Sequence, residues 1–184
     1  MIELEIQNPY SKTELVSSLR DVTRKVESYY NSLPPELFFH DGLGGWSPAQ
    51  NLSHITFIAN LAVYLLKLPR FIFIVFGKQN HQRDFKTLLA DYIGSKTPIY
   101  IGPLEPASIQ PPPNAKQLIH EMVSDWVKVS MELASHLDTI PENDFDQYSL
   151  PHPSMGMLSY REMMYVFIIH PIHHTYKVEQ KLPT

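Results

Sequence analysis

Helix start and stop signals divide most of this sequence into four segments whose apolar residues recur at helical spacing. The first segment begins at a capping box formed by Ser11 and Glu14 and ends before Pro34. Its apolar residues, which follow one another at intervals of three or four, are Leu15, Leu19, Val22, Val26, Tyr29 and Leu33. Because this spacing places them on one face, the segment is predicted to be a long amphipathic helix.

A second helix is predicted to start at Ser47, with Pro48 at its first position and Gln50 at its third. It carries two adjacent apolar stripes, so it should be buried over much of its circumference. The stripes are Leu52/Ile55/Ala59/Ala62/Leu66 and His54/Ile58/Leu61/Leu65. Pro69 is expected to end or kink this helix, and the apolar run at residues 71–76 fits a strand or a helix equally well.

Two further helices are predicted in the second half of the chain. The third starts at Asn114, and the fourth at a capping box formed by Ser159 and Glu162. Their apolar residues are Leu118, Met122, Trp126, Val129, Leu133, Leu137 and Ile140 in the third helix, and Met163, Val166, Phe167 and His170 in the fourth. Residues 98–113 contain six prolines, which forbids a helix and indicates a long crossover connection. Four helices and one long crossover predict an all-α four-helix bundle.

Length and composition narrow the class of protein further. The 184 residues, 43% of them hydrophobic, are expected to form a single folded domain over 1–184. The net charge of -4 offers no general attraction to nucleic acid or anionic lipid, so neither partner is expected. The most apolar stretch, residues 55–76, is interrupted by Lys67, Pro69 and Arg70, so no membrane span is predicted. The acidic N-terminus lacks a signal sequence, which predicts a cytoplasmic location.

Histidine is the residue type with which this chain could do chemistry. There is no cysteine, so a metal ion would need histidine or carboxylate ligands. His170 and His174 are four residues apart and would lie on one helix face, and His54 comes from an apolar stripe of the second helix. Three imidazoles around one divalent ion leave a position open for water or substrate. His173 points about 100° away from His174 on the helix and is predicted to lie outside this site.

The same residues have a purely structural interpretation. A histidine in an apolar stripe is often a core residue that hydrogen-bonds to backbone, and a pair four residues apart arises by chance in a chain with 9 histidines. Pro171 adds a second alternative, because it has no amide hydrogen for the Phe167 carbonyl. The last helix should therefore kink near His170 or end near Ile169.

Three short blocks of the sequence resemble segments of DinB-like proteins, including the YfiT-like branch. Residues 46–54 read WSPAQNLSH and are similar to the W-S-x-x-Q/E-x-x-x-H segment that opens the second helix in that family. Residues 170–174 read HPIHH and resemble its H-x-x-H-H segment near the C-terminus. His152, Pro153 and Gly156 are similar to the lead-in to its last helix. The resemblance spans residues 46–174, most of the chain.

The resemblance implies an up-down-down-up four-helix bundle, often a homodimer, that holds a divalent metal through His54, His170 and His174. Imidazole ligands suit several transition metals, and zinc or nickel is expected. Family members with assigned activity include transferases that join a low-molecular-weight thiol, such as bacillithiol or mycothiol, to electrophiles, and YfiT-like members are described as metal-dependent hydrolases. The expected partner is thus a small-molecule substrate. The alternative is a non-catalytic binding or dimerisation module whose histidine cluster is vestigial or structural.

Two positions depart from the family pattern. Phe57 stands where members often have Asp, and Lys177 stands where Gln is frequent; ordinary packing is expected for the first and a solvated face for the second. Trp46 is predicted to be a hydrophobic staple ahead of the second helix, Trp126 a core residue and Glu162 a helix cap. The histidines expected at the surface are His40, His81, His120 and His136.

Overall fold

The first predicted helix forms with its capping box complete. In the computed structural model, which describes residues 8–41, 45–78, 82–94 and 106–182, helix α1 spans Lys12–Ser32. The Ser11 hydroxyl accepts a hydrogen bond from the Glu14 amide, and the Glu14 carboxylate accepts one from the Ser11 amide. A short helix that the sequence analysis did not predict, α2, follows at Pro35–Phe38.

Helix α3 spans Pro48–Leu66 and begins at the predicted capping box of Ser47 and Gln50. The first predicted stripe is buried except for its last residue, Leu66, which is half-buried. The second stripe is less covered, since its Leu61 is 41% exposed. Helix α3 therefore buries mainly one face, and the prediction of burial over much of its circumference was too broad.

The apolar run that the sequence left open forms a 3-10 helix at Arg70–Phe76. It is followed by helix α4 at Phe85–Gly94, which the sequence analysis missed. The sequence does contain a start signal for α4, the capping residue Asp84. Its side chain accepts a hydrogen bond from the Thr87 amide at 2.8 Å. Helix α4 contributes the ring of Tyr92, which lies beside His170 and His173 of the last helix.

Helix α5 spans Ala115–Thr139, close to the predicted bounds. Asn114 precedes it, but its side chain makes no capping hydrogen bond. In the first turns the buried residues are Ile119 and Val123, whereas the predicted core residues Leu118 and Met122 are half-buried. Of the predicted crossover, residues 98–105 lie outside the described residues, and residues 106–113 contain neither helix nor strand.

An antiparallel hairpin, also not predicted, leads into the last helix. Strand β1 at Ser149–His152 pairs with strand β2 at Gly156–Ser159. Gly156 has a φ of 72°, a conformation that favours glycine. The capping box predicted at the end of β2 then starts helix α6, which spans Tyr160–Lys181.

Helix α6 continues through Pro171, so the interpretation in which it ends near Ile169 is wrong. Pro171 has no amide hydrogen to donate to the Phe167 carbonyl. Its ring is buried, however, and its own carbonyl accepts a hydrogen bond from Thr175 Oγ1 at 2.8 Å. Packing around the proline compensates for the missing backbone hydrogen bond, because tertiary burial supplies most of the stability of such helices.

The four long helices share one apolar core. Helices α1 and α3 each pack against both α5 and α6, and α4 packs against α6. Trp126 of α5 is 1% exposed and its indole donates a hydrogen bond to the Thr23 carbonyl, which confirms its predicted core position. The chain is mostly helical, as the all-α prediction requires. Within the described ranges, no helix is long and apolar enough to cross a membrane.

Candidate metal centre

Three histidines from two helices come together where α3 packs against α6. His54 lies on α3, and His170 and His174 lie one turn apart on α6. One ring nitrogen from each lies within 4.8 Å of the other two, and Nε2 of His54 is 3.2 Å from Nε2 of His170. These are the residues that the sequence analysis selected, and the cluster could hold one metal ion.

The continuity of α6 is what gives the cluster its shape. With the helix unbroken at Pro171, the rings of His170 and His174 lie on one side, with centroids 4.6 Å apart. The His54 ring faces both of them, at 5.1 Å from His170 and 4.7 Å from His174. His54 and His174 are buried and His170 is half-buried.

Asn51, one turn before His54, fixes the orientation of His174. Its side-chain nitrogen donates hydrogen bonds to the backbone carbonyls of Trp46 and Ser47, at 3.1 and 2.9 Å. The amide oxygen must therefore be the atom that lies 2.8 Å from Nδ1 of His174. Since that oxygen only accepts, Nδ1 carries the hydrogen, and Nε2 of a neutral His174 keeps its lone pair for a ligand bond.

Burial favours the neutral form of His170 and His174. It lowers the pKa of His170 and of His174 well below the usual value of 6.5, and the neighbouring imidazoles lower both further. For His173, burial and then the nearby Lys177 ammonium lower the pKa to about 4. A neutral imidazole has one unprotonated nitrogen, which is the form that binds metal ions. His170 and His174 thus need little proton release before an ion can bind.

Two aromatic rings stand beside the histidines, and the sequence analysis anticipated neither role. The Trp46 indole stacks on His174 at 5.9 Å between centroids and lies 5.1 Å from His54. The predicted hydrophobic staple is wrong, because the position that such a staple would contact is the polar Asn51. The ring centroid of Tyr92, on α4, lies 6.4 Å from that of His170, and burial raises the pKa of Tyr92 to about 12.

His173 lies beside the cluster rather than within it. Its ring contacts Tyr92 edge-on, with centroids 5.4 Å apart, and is also 5.8 Å from His174. His152, from the third block of the family resemblance, ends β1, and its Nδ1 lies 3.3 Å from the Ser154 amide, which donates to it. Neither histidine belongs to the group of ring nitrogens within 4.8 Å of one another among the described residues.

The other candidates that the structure describes lie outside the three-histidine cluster. Ordinary packing was expected for Phe57, but its side chain is 48% exposed. Lys177 is exposed, as predicted. Glu162 caps α6 as predicted, and its buried carboxylate also pairs with Arg83 at 2.8 Å. Of the histidines expected at the surface, His40 and His120 are exposed, His136 is half-buried near Glu132, and His81 lies outside the described residues.

The donor set fits a divalent transition metal. Three imidazoles can each present a ring nitrogen toward a common point, and Asn51 holds one of them in the required tautomer. Imidazole is a suitable ligand for zinc, copper, iron and nickel, whereas calcium and magnesium prefer oxygen ligands.

Comparison with known proteins agrees with the family resemblance of the sequence. A family model for the DinB superfamily matches residues 18–177 of the chain. The chain belongs to the DinB superfamily. The stretch matched to the DinB superfamily begins in α1, ends in α6 and includes His54, His170 and His174. None of the curated proteins matches the chain.

Proposed function

We propose that this DinB-superfamily protein binds one divalent transition metal ion through His54, His170 and His174. The observation that carries the proposal is the convergence of three imidazole nitrogens, from two helices, within 4.8 Å of one another. The lowered pKa values of His170 and His174 and the hydrogen bond from His174 to Asn51 support it, because both favour the ligand form of the ring. Zinc and nickel are the ions that we expect.

We further propose that the protein is a metal-dependent enzyme acting on a small molecule, by transfer of a low-molecular-weight thiol to an electrophile or by hydrolysis. Bound at three imidazoles, a divalent ion supplies Lewis acidity, which lowers the pKa of a thiol or of a water molecule beside it. The chain has no cysteine, so a thiol nucleophile would have to arrive with a cosubstrate.

The protein groups around the histidines have separate roles in this proposal. Asn51 orients His174, and the rings of Trp46 and Tyr92 limit access of water to the site. With its pKa raised to about 12, the Tyr92 phenol keeps its proton at neutral pH. It is thus a donor that could hydrogen-bond to an anionic group of a substrate.

The finer features of the family are also part of the proposal. We infer that α1, α3, α5 and α6 form the up-down-down-up bundle that the resemblance implies, and that the protein is a cytoplasmic homodimer. The packing of α1 and α3 against both α5 and α6 supports the bundle. Light scattering of the purified protein would measure the oligomeric state, and a monomer at all concentrations would contradict the dimer.

The metal site is tested with two matched histidine variants. Titration of metal-free protein with Co²⁺, followed by visible absorption, should show one site in the natural protein and none in His170→Ala. His173→Ala is the control, because His173 is on the same helix and also near Tyr92 but outside the three-nitrogen cluster. Equal Co²⁺ binding by the natural protein and by His170→Ala would refute the ligand assignment.

The reaction class is tested on zinc-loaded and nickel-loaded protein. Bacillithiol, mycothiol and glutathione are offered with monochlorobimane as the electrophile, and a nitrophenyl ester is offered alone. Thiol conjugation that is faster than the uncatalysed reaction and is lost in His54→Ala would support thiol transfer. Ester cleavage that is likewise lost in His54→Ala would support hydrolysis. A loaded site with neither activity would favour the non-catalytic module.

A further inference from the structure

The 3-10 helix at Arg70–Phe76 presents two apolar faces to solvent. Such a helix has three residues per turn, so residues three apart share a face. One face carries Phe71 and Ile74, which are 70% and 63% exposed, and the next carries Ile72 and Val75, which are 40% and 79% exposed. Each of these four side chains is large and apolar. Isolated exposed apolar residues are common, but a contiguous group of this kind marks an interaction site.

The segment is held in this exposed position by its own contacts. Its third face carries Phe76, which is 41% exposed, and Phe73, which is 3% exposed and lies 5.6 Å from the Tyr160 ring, edge to face. Hydrogen bonds from the Ile72 amide to the Pro69 carbonyl and from the Gly77 amide to the Ile74 carbonyl close its two ends. Phe73 therefore anchors the segment in the core while the four apolar side chains of the other two faces remain exposed.

The charges around this segment differ from those of the whole chain. No aspartate or glutamate occurs between Asp41 and Asp84, although the chain as a whole has a net charge of -4. The same stretch contains the cations Lys67, Arg70, Lys78 and Arg83. Lys67 bonds to Glu132, and Arg83 pairs with Glu162 and Asp91. Lys78 is exposed directly after the apolar segment, and Arg70 is the residue that precedes Phe71 in the sequence. The apolar segment is thus flanked by positive charge.

We propose that residues 70–78 dock on the surface of an anionic lipid bilayer. The apolar faces would enter the boundary between headgroups and acyl chains, and the flanking cations would lie at the anionic headgroups. A symmetric contact with a second copy is less favourable, because residues 70–78 contain two cations and no acidic residue, so the two copies would bring like charges to one interface. The proposal concerns peripheral contact and is independent of the metal site.

Vesicle co-sedimentation tests the proposal. The natural protein should sediment with vesicles of phosphatidylcholine and phosphatidylglycerol, and much less with phosphatidylcholine alone. The double variant Ile74→Ser/Val75→Ser should partition about tenfold less, because it removes the two most exposed aliphatic side chains of the segment. Lys78→Glu should lower partitioning on the order of tenfold on the anionic vesicles only. Tyr176→Ser, which changes a 50% exposed aromatic residue on α6, is the control and should sediment like the natural protein.

Three results would overturn the proposal. The first is no sedimentation with anionic vesicles. The second is equal sedimentation of the natural protein and the double variant, with circular dichroism showing that both are folded. The third is a dimer in solution that the double variant converts to a monomer, since a second copy would then cover the segment.

Discussion

Asn51→Leu should weaken metal binding without removing any ligand. Leucine has nearly the shape of asparagine, but it cannot accept the hydrogen bond that the amide oxygen receives from Nδ1 of His174 at 2.8 Å. His174 would then be free to place its hydrogen on Nε2, and in that tautomer Nε2 cannot bind a metal ion. Loss of such an orienting partner typically costs 10- to 100-fold in metal affinity, which is about 1.4–2.7 kcal/mol.

The same substitution should also destabilise the metal-free fold. The Asn51 side chain donates to the carbonyls of Trp46 and Ser47, and leucine leaves both carbonyls without that donor. Because Asn51 is 4% exposed, water cannot easily replace it, and we expect a loss of about 1–3 kcal/mol in the free energy of unfolding. Asn51→Asp separates the two effects, since aspartate keeps an acceptor for His174 but loses both donors.

The assay is competition for zinc against a chromophoric chelator, with urea unfolding of the metal-free proteins alongside. Asn51→Leu should lose both affinity and stability, and Asn51→Asp should lose stability alone. Asn60→Leu is the control, because Asn60 is exposed on α3 and its side chain donates a hydrogen bond to the Thr56 carbonyl on the same helix. In the metal-free natural protein, nitrogen NMR of the ring should show the hydrogen of His174 on Nδ1. Zinc affinity unchanged in Asn51→Leu would refute the reasoning.

Two further predictions concern stability. Arg161→Met removes a guanidinium that is 4% exposed and pairs with Asp146 through two hydrogen bonds of 2.8 Å. Urea unfolding should show a loss of about 3 kcal/mol in the free energy of unfolding. Arg24→Met is the control, because Arg24 belongs to an exposed ion pair and its loss should change that free energy by close to zero. The metal-free protein should lose stability as the pH falls below about 6.5. The pKa values of His170 and His174 are lower in the folded than in the unfolded state, so the unfolded chain takes up protons first. The slope is about 1.4 kcal/mol per pH unit for each such histidine, and urea midpoints that do not change between about pH 7 and about pH 5 would contradict it.

Local signals in the sequence predicted the long helices well. The capping boxes at Ser11, Ser47 and Ser159 are formed by residues three positions apart, so their geometry depends on little else in the fold. The helical spacing of His170 and His174 likewise needed only a continuous helix. Whether the helix continued through Pro171 depended on burial from neighbouring elements, which the sequence alone could not provide.

The parts of the site that were missed depend on contacts between distant residues. Asn51 and His174 are 123 positions apart, so no spacing rule connects them. Tyr92 was overlooked because α4 was overlooked, although Asp84 offered a cap for that helix. Trp46 was predicted to be a hydrophobic staple because it directly precedes a helix. The residue that such a staple would contact is Asn51, and its polarity was the signal against that prediction.

The central claim is that the folded protein holds a metal ion through three histidines, and metal content with melting temperature tests it most directly. Protein expressed without added metal and purified without chelators should contain about one equivalent of zinc or nickel, and removal of the ion should lower its melting temperature. His54→Ala should contain none and should melt at the same temperature with or without chelator. Natural protein that contains no metal, and that none of these ions stabilises on addition, would contradict the account.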